Sequence, residues 1–261
     1  MRQHTITIDT GKCIGCGLCK QDCPADNIEI TNAKALVRKQ DCLMCGHCVA
    51  VCPKAAVSIS GFDEPPEEFA KQTILSPKEL LAAIKTRRSI RRFKQEDIPD
   101  EVIRQIIEAG RFTPSAVNAQ DVSYLVLKDG REKAEKMAVG LFRRLLPVAS
   151  LFSKEARDRR DIAIDDHFFF KKAPAAIVIV SKTKVNGALA AANMALMAEA
   201  NGLGVLYSGL FTIAVNVSGK LRRTLGLGRK QKAVTTLVLG YPDINYRRTA
   251  QRESANVRCQ H

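Results

Sequence analysis

The chain has 261 residues, of which 46% are hydrophobic, and a formal net charge of +14 at pH 7, with +12 of it beyond residue 60. This length predicts two domains with enough apolar residues for a sizeable core. No apolar run approaches the ~18 residues of a membrane helix, and the N-terminal "MRQHTITIDTGK" lacks the apolar region of a secretory signal, so we expect a cytoplasmic protein with no membrane partner.

Eight of the nine cysteines lie in two copies of the pattern C-x2-C-x2-C-x3-C-P, "CIGCGLCKQDCP" and "CLMCGHCVAVCP". Corresponding cysteines are 29 positions apart, which indicates an internal duplication. Three thiolates at this spacing wrap three corners of an iron–sulfur cube, and the fourth ligates the other cluster. We therefore predict two 4Fe-4S clusters, one bound by Cys13, Cys16, Cys19 and Cys52, and the other by Cys42, Cys45, Cys48 and Cys23.

Two other uses of these cysteines are less consistent with the pattern. Zinc sites normally combine two ligand pairs that are separated by a long gap, and disulfides require an oxidising compartment. Each motif is followed by a short alternating segment, "NIEIT" or "AVSIS", that predicts a strand. Residues 1 to about 60 resemble bacterial-type two-cluster ferredoxins, with every ligand of that pattern present.

Residues 61–76 contain prolines and acidic residues and are predicted to be a linker. A helix is then expected to begin at Pro77, with Ser76 as its N-cap, Glu79 completing a capping box, and an apolar face of Leu80, Leu81 and Ile84. A second helix is predicted to be capped by Asp100 and to end at Gly110, with these residues inward: Val102, Ile103, Ile106 and Ile107.

The C-terminal half contains three clear apolar elements. Ala175–Val180 predicts a fully buried strand, Gly187 to Asn201 a central helix, and the run from Ala233 a core strand. Residues 131–172 have no clear periodicity, and we expect a break at Pro147. His167 in this region is either a proton donor or a residue of a helix surface.

From Pro77 to Arg252 the chain resembles the nitroreductase family of flavin enzymes. The motifs that carry the resemblance are, in order, "RRSIRRF", "IPDEVIRQIIEAG", "PSAVNAQ", "ANMALMAEANGLG", "YSGLF" and "LVLGYP". The resemblance implies an α+β domain with a central, mostly antiparallel sheet flanked by helices, in a homodimer with FMN at its interface. The predicted organisation is therefore a ferredoxin-like domain (1–60), a linker (61–76) and a nitroreductase-like FMN domain (77–261).

The resemblance also implies the flavin contacts, in which FMN itself performs the chemistry and no side chain is predicted to be catalytic. It places Arg87, Arg88 and Ser89 at the phosphate and ribityl chain, and Arg91 at the pyrimidine edge. The remaining implied contacts are the loop residues Pro114, Ser115, Asn118 and Gln120, the N–H groups of Ser208 and Gly209 near N5, and the late phosphate-binding Arg248. Four positions depart from the family pattern: Asp121, Val122, Ser208 and Tyr246.

The combination predicts an oxidoreductase that receives electrons through two clusters from an external low-potential donor. Its small-molecule electron acceptor would be electron-poor, such as a nitroaromatic or a quinone. One alternative is that NAD(P)H feeds the flavin and the clusters pass electrons outward; another is an electron-transfer adaptor without a substrate of its own. The basic charge alone suggests nucleic-acid binding, but no binding motif supports it, so we expect no nucleic-acid partner.

Overall fold

The computed structural model describes residues 4–40, 42–69, 73–152 and 163–260. The chain forms two compact units. The first comprises Met1–Ile74 together with Ala116–Ala119, and the second comprises Leu75–Ser115 and Gln120–His261. Among the helices in the described ranges, none has both the length and the apolar character needed to cross a bilayer.

The first unit is built from two small antiparallel sheets, each of two strands, with β1 pairing with β4 and β2 with β3. Its elements are β1 (Ile6–Ile8), α1 (Leu18–Gln21), β2 (Ile28–Thr31), β3 (Lys34–Val37), α2 (His47–Ala50) and β4 (Val57–Ile59). The strands predicted after each cysteine motif are confirmed as β2 and β4. Residues Ala116–Asn118 form a short 3-10 turn.

The duplication in the sequence is also a duplication in structure. In the first copy the Asn27 N–H donates to Cys23 Sγ at 3.2 Å, and in the second the Ala56 N–H donates to Cys52 Sγ at 3.3 Å. Donor and acceptor are each displaced by 29 positions between the copies. The two halves of the unit therefore provide matched positions that can be compared residue by residue.

The second unit contains a four-stranded sheet in the order β5-β6-β8-β7, in which every neighbouring pair is antiparallel. Its strands are β5 (Ser123–Leu127), β6 (Ala175–Val180), β7 (Gly204–Tyr207) and β8 (Ala233–Gly240). Its helices are α3 (Pro77–Thr86), α4 (Asp100–Arg111), α5 (Arg131–Phe152), α6 (Lys184–Ala200), α7 (Gly209–Val217) and α8 (Gly219–Thr224). This arrangement confirms the predicted α+β fold with an antiparallel sheet.

Strand β6 is buried along its whole length because apolar side chains cover both faces of the sheet. Val178 packs in a cluster that contains Phe211 of α7, whereas Ile177 packs in a second cluster that contains Met194 of α6. Successive strand residues point to opposite faces, so a strand between two helical layers is apolar at every position. The prediction of a fully buried strand is confirmed.

Helix α3 begins as predicted but does not join the core. The Ser76 hydroxyl accepts a hydrogen bond from the Glu79 N–H at 3.4 Å, which confirms Ser76 as the N-cap. The apolar residues of α3 stay on the surface of this chain, with Leu81 51% exposed and Ile84 48% exposed. Apolar side chains that stay exposed on a helix are typical of an interface with another molecule.

Two details of the predicted helices are wrong. Asp100 is the first residue of α4 and makes no side-chain cap; its carboxylate instead accepts a hydrogen bond from Lys128 Nζ at 3.0 Å. Pro147 lies inside α5 and does not end it. In the first case the Asp100 carboxylate binds Lys128, which lies 28 positions later in the chain. A capping rule that considers only neighbouring residues does not detect such a partner.

Gly110 lies within the last turn of α4 and packs against β5 and α6. A Cβ at this position would lie 2.7 Å from the Tyr124 hydroxyl and 2.9 Å from Met194 Sδ. Met194 is fully buried, so it has little room to move aside. The glycine therefore permits the close approach of α4 to its neighbours.

Substituting Gly110→Ala should destabilise the protein by about 1–3 kcal/mol, because the added methyl group overpacks a filled core. Gly140 provides a matched control within α5, since a Cβ there would meet no atom within 4 Å. Gly140→Ala should be neutral or stabilise the protein by up to about 1 kcal/mol. Chemical denaturation of both variants measures the difference, and equal effects would contradict the packing argument.

Candidate functional site

Four of the motif cysteines surround one cavity of about 360 Å³, counting space open to solvent: Cys13, Cys16, Cys19 and Cys52. Three come from the first motif and one from the second, so the structure brings together the set predicted for one cluster. In the described part of the chain, no three Cys, His, Asp or Glu side chains converge on a single metal-ion position. Thiols that ring a cavity are suited to the corners of an iron–sulfur cube.

Three cysteines of the other predicted set also lie close together. Burial, together with the nearby Cys45 and Cys23, raises the pKa of the Cys48 thiol to about 11. Burial likewise raises the pKa of Cys19 in the first set. These thiols are therefore protonated at neutral pH unless a cation stabilises the thiolate, so metal binding must release protons.

Cys13 differs from these buried thiols because the chain directs favourable groups toward it. The Ala35 N–H donates to Cys13 Sγ at 3.4 Å, and Lys34 Nζ donates to the Cys13 carbonyl at 2.6 Å. The Ala35 and Gly15 N–H groups and the Lys34 charge lower the pKa of Cys13 in spite of burial. Gly15 has φ +67°, and a Cβ there would lie 2.2 Å from the Ala33 carbonyl oxygen, so only glycine is accommodated.

In the second unit, the arginine-rich segment lies alongside β7. Ser89 forms a parallel bridge with Val205, and the Ile90 N–H donates to the Val205 carbonyl at 3.0 Å. Ser208 and Gly209 follow β7 directly. One strand edge thus positions both the residues predicted for the flavin phosphate and those predicted for N5.

Arg87 is held by an acidic and a phenolic partner. Its Nε donates to Glu199 Oε1 at 3.0 Å, and the Tyr207 side chain lies near enough to affect the pKa of Arg87. Burial opposes the positive charge, but Glu199 and Tyr207 raise the pKa of Arg87 above its usual value. Glu199 therefore fixes the orientation of the Arg87 guanidinium and keeps it charged.

Arg88 connects this segment to the C-terminal residues. Its guanidinium donates to the Arg87 carbonyl at 2.6 Å and to the Arg248 carbonyl at 3.0 Å. Arg91 donates to the Ser89 carbonyl at 3.3 Å. Arg88 thereby links the main chain of the arginine-rich segment to that of Arg248, so these predicted phosphate-binding positions are neighbours in the fold. A group of guanidinium and hydroxyl donors is suited to a phosphate dianion.

The two residues predicted for N5 have different surroundings. Ser208 is buried, and its N–H donates to the Thr236 carbonyl at 2.8 Å. Gly209 is the first residue of α7, where backbone N–H groups have no acceptor within the helix. A Cβ on Gly209 would meet nothing within 4 Å, so space lies open beside its backbone.

The predicted loop around Ser115 has an unusual backbone. The Gln120 N–H donates to the Ser115 hydroxyl at 2.9 Å, and Val117, Asn118 and Gln120 all have positive φ. Residues 116–119 belong to the first unit, where Asn118 Nδ2 donates to the carbonyls of Leu43 (2.9 Å) and Met44 (3.0 Å). Strained non-glycine residues occur preferentially at functional sites. Contact of Pro114, Ser115, Asn118 or Gln120 with a flavin stays a prediction.

Asp121 is a structural residue of the site that motif reasoning treated only as a departure from the family pattern. Its carboxylate accepts hydrogen bonds from Ser181 Oγ (2.9 Å), the Lys182 N–H (2.9 Å) and Asn186 Nδ2 (2.7 Å). Burial opposes ionisation, but these donors lower the pKa of Asp121. Asp121 thereby anchors the end of the loop to the start of α6.

Glu199 was also missed by motif reasoning, although a signal was present. It is the one acidic residue in α6, a helix that is otherwise dominated by Ala and Met. A charge on a largely buried helix requires a partner. The segment that supplies Arg87 lies 112 positions earlier in the chain, so the partner could not be identified from spacing.

A model of the nitroreductase family matches residues 84–241, and a model of the 4Fe-4S dicluster domain matches residues 5–53. A Methanothermobacter thermautotrophicus protein, provisionally named NADH dehydrogenase/NAD(P)H nitroreductase, is 28% identical over 180 residues, which cover 66% of this chain and 81% of that protein. A ferredoxin of Methanothermococcus thermolithotrophicus is 41% identical over 58 residues, which cover 21% of this chain and 97% of the ferredoxin.

A solved structure of a Bacteroides fragilis nitroreductase with bound FMN has the same fold. It aligns with a TM-score of 0.55 at 20% identity, covering 69% of this chain and 98% of that one. The nitroreductase model alone spans more than half of the present sequence. The chain therefore belongs to the nitroreductase family of oxidoreductases and carries a 4Fe-4S dicluster ferredoxin domain ahead of its family domain.

Proposed function

We propose that this protein is an FMN-dependent oxidoreductase that receives electrons through two 4Fe-4S clusters and reduces an electron-poor substrate of the nitroaromatic or quinone type. The observation that carries the proposal is the donor group beside β7, formed by Arg87, Arg88, Ser89 and Arg248. The same chain holds the four-cysteine cavity. Carriers of single electrons and a site for a two-electron cofactor therefore occur in one polypeptide.

The cysteine motifs would hold the clusters through the two crossed ligand sets. Backbone N–H groups of Asn27 and Ala56 donate to the sulfurs of Cys23 and Cys52 in the two halves. Hydrogen bonds to cluster sulfurs stabilise the more negative, reduced state and so raise the reduction potential. The protein would thus supply both the cluster ligands and some of the hydrogen bonds that set the reduction potentials.

The residues beside β7 would bind FMN by its phosphate. Arg87, whose guanidinium is oriented by Glu199, offers forked donors, and Ser89 adds a hydroxyl. Bound FMN supplies the link between one-electron and two-electron chemistry. Two electrons from the external donor and two protons from water convert a quinone to a hydroquinone, or a nitro group to a nitroso group with loss of water.

The residues near the predicted ring position have a positioning role. Gly209 leaves open space beside its backbone, and as the first residue of α7 it presents its N–H at the positive end of a helix. Such a donor favours negative charge on a bound ring. Asp121 keeps the neighbouring loop attached to α6. The chemistry proposed here needs no acidic side chain from the chain itself.

A homodimer is part of the proposal, supported by apolar side chains of the second unit that this chain does not bury. They lie on α3, α6 and α7: Leu80, Leu81, Ile84, Val185, Leu189, Ile213 and Val217. Exposed apolar groups of this kind mark protein interfaces. A second copy of the chain would cover them.

The reverse direction of electron flow is the second candidate function. The Methanothermobacter thermautotrophicus relative carries NAD(P)H in its provisional name, which favours a nicotinamide donor to the flavin. In that case the clusters would pass electrons outward to a protein acceptor. Rapid mixing of the oxidised protein with NADH or NADPH separates the candidates, because fast flavin bleaching without a ferredoxin-type donor supports the reverse direction.

Anaerobic purification and reconstitution test the cofactor content. We expect about eight iron and eight sulfide per chain, as two 4Fe-4S clusters require, together with one FMN. Dithionite should reduce both the clusters and the flavin, and a quinone or nitroaromatic should then reoxidise them. Zinc at the thiolates, or a cluster-loaded protein that does not bind FMN, would contradict the proposal.

Arg87→Met should weaken FMN binding by roughly ten- to a hundredfold, because a charged hydrogen-bond donor contributes about 1.5–3 kcal/mol. Arg92→Met is the matched control: Arg92 belongs to the same motif, but its side chain is exposed and pairs with Asp243 at 3.7 Å. Quenching of FMN fluorescence measures both dissociation constants. The phosphate assignment fails if the two variants bind FMN equally well.

Leu81→Lys should weaken the proposed dimer by at least about a hundredfold, because a symmetric interface loses one buried leucine from each copy. Leu36→Lys is the control, since Leu36 is an exposed leucine of the first unit (42%) outside the apolar surface defined above. Sedimentation analysis over a concentration series gives both dissociation constants. A wild-type protein that stays monomeric at high concentration refutes the dimer.

A further inference from the structure

We propose that the two clusters differ in reduction potential, and that the cluster bound by Cys13, Cys16, Cys19 and Cys52 is the more easily reduced. Groups supplied by Lys34, Lys54 and Ala35 favour the extra negative charge that reduction adds at this site. This inference rests on the proposed function, namely that both cysteine sets hold 4Fe-4S clusters. It goes further because it assigns an order in which the clusters accept electrons.

The duplication supplies an internal reference for this comparison. The N–H groups of Asn27 and Ala56 make equivalent bonds to Cys23 and Cys52, with distances that differ by only 0.1 Å. Because these contacts match, they favour neither cluster. The order of the two potentials must therefore follow from positions at which the copies differ.

The first difference is a cation. Lys34 is partly buried, and its Nζ lies 2.6 Å from the carbonyl oxygen of the ligand Cys13. The matching position, 29 residues earlier, is the neutral Thr5, whose N–H donates to Ser60 Oγ at 3.1 Å. A positive charge held near a cluster stabilises its reduced state more than its oxidised state, because the reduced state carries one more negative charge.

A second cation adds to the same site. Lys54 lines the cavity that is surrounded by the first ligand set, directly after the Cys52–Pro53 pair. The matching residue of the other copy is Ala25. Both lysines therefore belong to the first site, and both are replaced by uncharged residues at the second.

The third difference is a hydrogen bond to sulfur. The Ala35 N–H donates to Cys13 Sγ at 3.4 Å. Its counterpart, the Ile6 N–H, donates at 2.9 Å to Oε1 of Gln40. The position that matches Gln40 is Gly11, which has no side chain to intercept the Ala35 N–H. The backbone N–H that donates to a cysteine sulfur at the first site therefore has a counterpart at the second site that donates to the Gln40 side chain.

Two other ionisable groups beside the motifs have polar partners of their own. Lys12, next to Cys13, lies 3.9 Å from Asp9. His47, next to Cys48, lies 3.5 Å from the Asp22 carboxylate. The Lys12–Asp9 pair contributes little net charge at the first site. Lys34, Lys54 and the Ala35 N–H are the differences from which we infer the order.

A redox titration of the full-length, reconstituted protein tests this order. Dithionite is the reductant. Reduction of the clusters is followed by EPR, because their optical absorbance overlaps that of the flavin. We expect two one-electron steps at different potentials. Cys16→Ser and Cys45→Ser assign the steps, because each should move or abolish only the step of its own cluster. The upper step should respond to Cys16→Ser.

Lys34→Met should lower the upper step and leave the lower one in place. A unit charge at about 10 Å from a cluster, in a medium of effective dielectric constant about 20, changes the equilibrium constant for reduction of that cluster by about tenfold or more. A tenfold change corresponds to 59 mV for a one-electron couple. Lys34→Arg is the control, since it keeps the charge and should keep the potential. Thr5→Lys should raise the lower step.

Each outcome bears on one of the two proposals. If the upper step responds to Cys45→Ser, or if Lys34→Met leaves both steps unchanged, the order is wrong while the cluster assignment stands. A single step with two electrons, insensitive to Lys34→Met, also overturns it. A reconstituted protein without iron, sulfide and an EPR signal refutes the cluster part of the proposed function, and this inference with it.

Discussion

The pairing of Ile90 with Val205 is the contact on which the candidate flavin site depends. This backbone hydrogen bond fixes the arginine-rich segment against β7, the strand that ends at Ser208. The proposed phosphate donors and the open space beside Gly209 are thereby placed along one edge of the sheet. Sites built on sheet edges hold their geometry better than sites built on free loops. Glu199 also stabilises the site, because it belongs to the largely buried helix α6 and its carboxylate restrains the Arg87 side chain.

The first unit is stabilised in a different way. Its buried apolar cluster is small and includes three of the cysteines themselves: Cys13, Cys19 and Cys48. A chain segment of this size buries too little surface for ample stability, so cluster binding must contribute to folding. In the proposed ligand sets each cluster takes one cysteine from the other motif, as the cavity lined by Cys13, Cys16, Cys19 and Cys52 illustrates, so cluster binding would join the two halves. Cofactor binding and the tertiary structure of the unit are therefore coupled.

Local patterns in the sequence predicted the elements whose causes are local. The Ser76 cap, the uninterrupted apolar strand β6 and the duplicated cysteine motif all depend on neighbouring residues, and the structure contains each of them. The misjudged or missed features depend on distant partners. Asp100 pairs with Lys128, and Asp121 bonds to Asn186, 65 positions away. A carboxylate shows in the sequence that it needs a partner, but only the fold determines which one it obtains.

Gln40 illustrates how a repeated module loses its symmetry. Its amide both accepts from the Ile6 N–H and donates to the Ile6 carbonyl, at 2.9 and 3.3 Å, as a neighbouring peptide group would. The Gln40 side chain thus makes the two hydrogen bonds that a neighbouring strand would make, and both the N–H and the carbonyl of Ile6 are satisfied. The two halves of a duplicated unit can acquire different electrostatic environments in this way while every backbone donor keeps a hydrogen bond. In this unit Gln40 accounts for one of the differences between the two halves, namely the backbone donor that the first site has and the second lacks.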